Sequence, residues 1–374
     1  MKQKFFFFGS FDPFTRSDFD AVISQMEFGG FSEGVIAVDV DYSKPSLFSL
    51  RMREEMIEES LKWYDKVNKT DYASRIKVIS FSGVPVYKAV KLNATTLITL
   101  ENPHKAIISS AIAHNILDYN LAVDEMSFDA EDDFAMESRN DCEIVKYLYL
   151  HKEYIMLQRY LTPAVHNKLM SMALKDEYLE CCRGSYIPWE DFVRDVSSRA
   201  YHNLSHIAYM LNKYRFFKEE VFDKEQHFDN LNFKSAIFFH DYIANDEEKS
   251  FKYSMLSDRC KGLFLATKHG DDAPQNLSKA EQLIRDLDLA ILADTVLYED
   301  YKDGIRIEYA DVADDVYATK RIEVLNSLIE EVENAKNFSE KEKKRAYGNL
   351  TKEKRSLQKQ LFKNRLKRFF SRKG

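Results

Sequence analysis

Glycine and proline are scarce in this chain, 11 and 7 of 374 residues. That scarcity argues against a turn-rich all-β architecture and for a helix-dominated protein. Cysteine is too rare for a disulfide framework. There are four thiols (Cys142, Cys181, Cys182, Cys260), and the adjacent pair has poor bridging geometry. No run of 18 apolar residues occurs, so no membrane-spanning helix is expected. Phe5, Phe6, Phe7 and Phe8 follow a basic start, but four residues fall short of a secretory apolar segment. Together these absences lead to the expectation of a cytoplasmic protein.

What is present is a 45% hydrophobic fraction, enough for more than one core, and a length for which two domains is the natural expectation. The formal charge of −7 is uneven. From Ala335 to Gly374 there are 15 Lys and Arg against 3 acidic residues, whereas the preceding chain holds 39 basic and 58 acidic ones. An acidic body therefore carries a basic end. Leu350, Leu357, Leu361, Leu366 and Phe369 add a rough apolar stripe there. Such a tail (351–374) can contact an anionic partner, either a membrane surface or RNA phosphates, or be a solvated helix packed along its own domain.

The first half alternates strand and helix. Phe5–Phe8 running into Gly9-Ser10-Phe11-Asp12-Pro13 reads as a buried strand and tight loop, followed by a helix with Phe19, Val22, Ile23 and Met26 at helical spacing. Strands are expected at 34–38, 76–79 and 95–99, with helices at 51–63 and near Val86–Val90. This pattern implies a parallel sheet covered by helices. Eight acidic residues between Asp124 and Asp141 read as a solvated, mobile insertion. Val145–Leu150 reads as a final strand, and Thr162-Pro163 opens a closing helix.

Gly9-Ser10-Phe11-Asp12-Pro13-Phe14-Thr15 resembles the opening of the phosphopantetheine adenylyltransferase family, small Rossmann-like nucleotidylyltransferases. Ser43–Arg51 and Ser80–Val84 resemble two further stretches of it, in the right order. The resemblance implies an α/β domain (1–175), nucleotide contacts at Ser10, Thr15 and Lys44, and a homo-oligomer. The family continues its first loop with Thr-Asn-Gly-His, where this chain has Thr15-Arg16-Ser17-Asp18. An aspartate there repels the triphosphate that the family binds. A degenerate domain is the expectation.

From Trp189 onward the text is helical. In Tyr201-His202-Asn203-Leu204-Ser205-His206 the two imidazoles are four apart and, on a helix, share one face. His240-Asp241 closes the apolar run Ala236–Phe239, where an unpaired carboxylate is costly and a bound cation removes the cost. Asp286 and Asp288 are two apart, so only one of them can face a shared ligand.

These blocks, with Asn245–Ser250, Ala266–His269, Asp286–Leu292 and Ile305–Tyr309, resemble the HD superfamily of metal-dependent phosphohydrolases and, more distantly, cyclic-nucleotide phosphodiesterases. The resemblance implies an all-α domain (188–350) in which His206, His240, Asp241 and Asp288 hold a divalent metal. That mix of imidazole and carboxylate suits Mn, Fe, Mg, Co or Zn, as one ion or two. It implies His202 as the acid that protonates the leaving oxygen. His269 is a second-metal ligand, a phosphate-facing group or a surface residue; Glu247 orders water or is part of a helix N-terminal charge cluster. Lys268, Arg306 and Arg321 are candidate phosphate ligands.

The leading reading is a two-domain protein, a degenerate nucleotidylyltransferase-like α/β domain followed by an HD-type phosphohydrolase acting on a small phosphorylated substrate, a nucleotide. A bifunctional adenylyltransferase/phosphohydrolase and a non-catalytic nucleotide-binding regulator are the alternatives.

Overall fold

A computed structural model describes residues 3–40, 46–82, 88–89, 91–94, 96–99, 122–125, 133–152, 154–221, 227–244, 246–270 and 273–371. The chain divides into two compact units, Met1–Leu169 and Met170–Gly374.

In the first unit β1 (Lys4–Gly9), β2 (Glu33–Asp39), β3 (Ile76–Phe81), β4 (Thr96–Thr99) and β5 (Ala122–Glu125) form one parallel sheet in the order β3-β2-β1-β4-β5. This is the doubly wound order, with β1 central and the topology reversing between β1 and β4. The phenylalanine run explains why β1 is central. Phe5 to Phe8 are all buried, so both faces of the strand need cover. Phe6 and Phe8 pack with Val35, Ala37, Phe81 and Ala89 on one face. Opposite Phe5, Gly34 of β2 has no room for a side chain, since a Cβ would fall 2.2 Å from the Phe5 ring.

Helices α1 (Arg16–Glu27), α2 (Leu50–Asn68), α3 (Tyr72–Arg75) and α4 (Asp133–Leu150) complete this unit. Val145–Leu150, expected as a strand, is the end of α4. Cys142, Val145 and Tyr149 recur at helical spacing: the Cys142 thiol meets the Asp12 carbonyl at 3.0 Å, Val145 is fully buried, and Tyr149 packs edge-on against Phe48. Of the supposed mobile insertion, Asp124 and Glu125 lie in β5 and Asp133–Asp141 in α4, while 126–132 lies outside the described residues. Lys44 also lies outside them, as does most of the helix expected near Val86–Val90.

Helix α5 (Pro163–Cys181) runs across the division between the units. The second unit is helical throughout its described residues: α6 (Trp189–Val196), α7 (Leu204–Val221), α8 (His227–Phe239), α9 (Glu247–Ser254), α10 (Lys261–Leu265), α11 (Lys279–Leu289), α12 (Tyr298–Glu308), α13 (Asp314–Asn334) and α14 (Glu340–Ser371). An aromatic cluster fixes one end of it, where Tyr178 packs against Trp189, Phe192, Phe238 and Phe239, and Phe192 against both Phe238 and Phe239. The cluster positions the end of α8, and with it His240. No helix among the described residues is long and apolar enough to cross a membrane.

Candidate metal centre

Four side chains converge inside the helical unit. His206 comes from the first turn of α7, His240 and Asp241 from the turn after α8, and Asp288 from the last turn of α11. One ligand atom of each lies within 4.8 Å of all the others, so the group can hold a metal ion. His206 Nε2 is 3.2 Å from His240 Nε2 and 3.2 Å from Asp288 Oδ1, and His240 Nε2 is 3.0 Å from Asp241 Oδ2. The imidazoles form a floor, with 2% and 1% side-chain exposure, while Asp241 at 29% opens to solvent.

The donor chemistry fits a cation. His240 Nδ1 is 2.9 Å from the Ile237 carbonyl, which can only accept, so the ring hydrogen sits on Nδ1. A neutral His240 then turns its Nε2 lone pair towards the Asp241 carboxylate, 3.0 Å away. Acceptors facing acceptors in a buried place need positive charge between them. Burial pulls the His240 imidazolium down, but Asp241 and Asp288 outweigh it and hold the ring well above the ordinary histidine value. For His206 burial wins, in spite of Asp288, and the ring is held low. Burial pushes both carboxyls up, yet His240 and His202 hold Asp241 below the usual range. Hydrogen bonds from His206, His240 and His269 do the same for Asp288. The positive charge that a proton brings to His240 is charge a divalent cation can supply instead.

Two further histidines flank the group, each held by a glutamate. His202 lies in the turn before α7 rather than on the same helix as His206, although the two rings remain 5.8 Å apart. Glu308, at the end of α12, accepts from His202 Nδ1 at 2.7 Å, and its other oxygen accepts from the backbone N–H groups of Tyr201 and His202. His202 Nε2 is left facing Asp241 Oδ2 at 3.8 Å. Gly304 lets α12 come this close, since a Cβ there would meet the Tyr201 Cβ at 3.0 Å. His269, in the loop after α10, is held at Nδ1 by Glu331 (2.6 Å) and meets Asp288 Oδ2 through Nε2 (3.1 Å). Both outer rings are about one-third exposed, 32% and 35%, so they border the open side. Arg199 clamps the ligand-bearing turn by donating to the carbonyls of Asp241 and Tyr242.

The remaining candidates lie elsewhere or are engaged. Arg306 bonds to the Tyr309 and Val312 carbonyls, pairs with Asp314 at 2.7 Å and stacks over Tyr317. Arg321 is buried against Glu353 at 2.9 Å and over Tyr301. Each is engaged by a carboxylate from the neighbouring helix that the sequence does not reveal. Glu247 sits in the first turn of α9 and makes no hydrogen bond or ion pair among the described residues. Lys268 approaches Glu248 at 3.9 Å. Asp286 is neither metal-facing nor solvated: it accepts from the backbone N–H of Lys336 and Asn337 and from the Asn337 amide. Glu308, Glu331 and Arg199 carry roles that sequence reasoning missed. Only their spacing in space, not along the chain, marks them.

In the first unit Thr15 and Asp18 form a capping box on α1. The Thr15 hydroxyl donates to Asp18 Oδ2 at 2.8 Å and accepts from the Asp18 N–H at 3.3 Å. Ser10 is exposed, and its carbonyl accepts from Arg53 at 2.7 Å. No family model matches the chain. Its N-terminal region is similar to phosphopantetheine adenylyltransferase. Over 90 residues it is 40% identical to the enzymes of Francisella tularensis subsp. novicida (strain U112), subsp. tularensis (strain SCHU S4 / Schu 4) and subsp. holarctica (strain LVS). That stretch is 24% of this chain and 49% of each relative, so the chain spans about half the length of the curated relatives it matches.

Proposed function

We propose that the helical unit is an HD-type metal-dependent phosphohydrolase acting on a small phosphorylated substrate, a nucleotide, and that the first unit is a catalytically degenerate nucleotidylyltransferase-like domain. The observation that carries this reading is the convergence of His206, His240, Asp241 and Asp288 from three separate segments on one buried point. These four residues would hold the metal. A divalent cation bound there supplies Lewis acidity towards water and a phosphoryl oxygen.

The chain's own residues account for the rest. Burial works against charge on His202, but Asp241 and Glu308 outweigh it and hold the ring above the ordinary histidine value, which favours its proton-carrying form. Glu308 fixes Nδ1, and the proton to be donated is on Nε2, on the side of Asp241. An oxygen leaving phosphorus beside Asp241 is within reach of that proton. His269 is likewise held charged, its value raised to about 10 because Asp288 and Glu331 outweigh burial, and with both ring nitrogens taken by those carboxylates it orients Asp288. The nucleotide assignment leans on the similarity of the first unit to a nucleotidylyltransferase. Degeneracy there is supported by Asp18, a capping carboxylate where the resemblance implies a phosphate-facing histidine.

Elemental analysis of the purified full chain, with phosphate release measured on a nucleotide panel under added Mn, Co, Mg, Fe and Zn, tests the proposal. Metal-dependent release that His240→Ala abolishes is the expected result. Metal retention with no release from any substrate would instead point to the non-catalytic reading, and absence of both would remove the proposal.

A further inference from the structure

The last helix carries a surface that the hydrolase reading does not use. Helix α14 buries Ala346, Leu350 and Glu353 and half-buries Leu357 and Leu361, and Asn364 reaches Asp315 at the start of α13. These residues lie on one side of the helix at about 100° per residue. The opposite arc, roughly 120° wide, holds Lys341, Lys344, Arg345, Lys352, Arg355, Lys359 and Lys363, all exposed. From Lys341 to Lys363 that arc contains no carboxylate; Glu340, Glu342 and Glu353 all fall outside it. The stripe is about 33 Å long at 1.5 Å per residue.

Lys352 reaches Glu299 at 3.0 Å, but Lys341, Lys344, Arg355, Lys359 and Lys363 have no ion-pair partner among the described residues. Lys341 with Arg345, Arg355 with Lys359, and Lys359 with Lys363 are like-charged neighbours at i,i+4, which destabilise a helix. These pairs lie at the two ends of a stretch of about six turns. At the middle of the stripe a Cβ added to Gly348 would meet nothing within 4 Å, so the backbone there is open to close approach. Phe362, 62% exposed, sits at one edge of the stripe, and Tyr347, 50% exposed, lies about 60° beyond the same edge.

We infer that the outer face of α14 binds the phosphodiester backbone of single-stranded nucleic acid. A line of cations complements a linear polyanion, and exposed aromatic rings beside it give bases a surface to stack on. A membrane is the weaker match: an interfacial helix inserts its apolar face, and here Ala346 and Leu350 are already buried against the protein. This surface is separate from the metal centre, and binding to it does not depend on hydrolysis.

Fluorescence anisotropy of the full chain with a labelled oligo(U) or oligo(dT), titrated at several salt concentrations, tests it. If all seven cations engage, log K falls with log salt at a slope of about −5, from about 0.7 per phosphate neutralised. The triple variant R355Q/K359Q/K363Q makes the slope shallower by about 2, and K341Q/K344Q/R345Q does the same, both with helicity retained by circular dichroism. Lys62→Gln, at an exposed position on α2 of the first unit, leaves the slope unchanged. The inference is overturned by no binding at about 50 mM salt, by slopes that neither triple variant alters, by tighter binding to duplex, or by co-sedimentation with phosphatidylserine vesicles while the oligonucleotide stays free.

Discussion

Replacing Asp288 by Asn tests the metal centre without relying on turnover. Asp288 Oδ1 faces His206 and His240 at 3.2 and 3.7 Å, and Oδ2 faces His269 at 3.1 Å. The amide keeps the shape and removes the charge, so one of the two anionic ligands of the cation is lost. A ligand that binds only the folded state stabilises it by about 2.7 kcal/mol at a hundred times its Kd. For a unit of this size each kcal/mol moves the midpoint by roughly 2–4 °C, so the wild-type melting transition rises by about 5–11 °C with saturating Mn or Zn. The chelated wild type and Asp288→Asn in the same metal show no such rise. Differential scanning calorimetry with and without EDTA reads both. An undiminished metal-induced shift in Asp288→Asn would mean that the cation sits elsewhere, and the four-residue centre would be refuted.

The raised His240 value means that a proton must leave before a metal binds, so metal affinity rises with pH and binding releases protons; calorimetry in buffers of different ionisation enthalpy checks this. Glu308→Gln leaves the metal content intact and lowers phosphate release by about a hundredfold or more, since His202 loses the partner that fixes and charges it; metal loss in that variant would reassign Glu308 to the ligand shell. His166 is buried and its value is lowered to about 4 by burial, so it is neutral in the folded first unit. Stability from that group is complete above pH 6.5 and declines as pH falls towards 4, by roughly 3 kcal/mol in all. Urea midpoints followed by Trp63 fluorescence in a Trp189→Phe background should show the decline, and His166→Gln should flatten it. Arg321→Met strands the Glu353 carboxylate and costs about 3–5 kcal/mol, most of which the double variant with Glu353→Leu recovers.

The parallel sheet was legible because β1, β2 and β3 are short apolar runs bounded by turn residues, and a buried strand leaves that mark whatever packs on it. Val145–Leu150 misled for the same reason: six residues of mixed apolar character fit a strand, and only the upstream turns of α4 set the helical phase. His240-Asp241 is conspicuous as imidazole and carboxylate at the end of an apolar run, while grouping it with His206 and Asp288 rests on the resemblance to the HD superfamily. His202 lies in a turn and not on the helix that the four-residue spacing suggests, since a turn and a helix start share the same local sequence signal. Arg306 and Arg321 could not be sorted from free cations, because what engages them, Asp314 and Glu353, is settled by helix packing. The glutamates that hold His202 and His269 escaped notice for the complementary reason: in sequence they are ordinary residues on amphipathic helices.

Asp286 gives the long terminal helix a mechanical tie. Its carboxylate grips the bend between α13 and α14 through three hydrogen bonds, two residues before Asp288 on the same helix. A shift of that bend is therefore felt directly by the helix that carries Asp288.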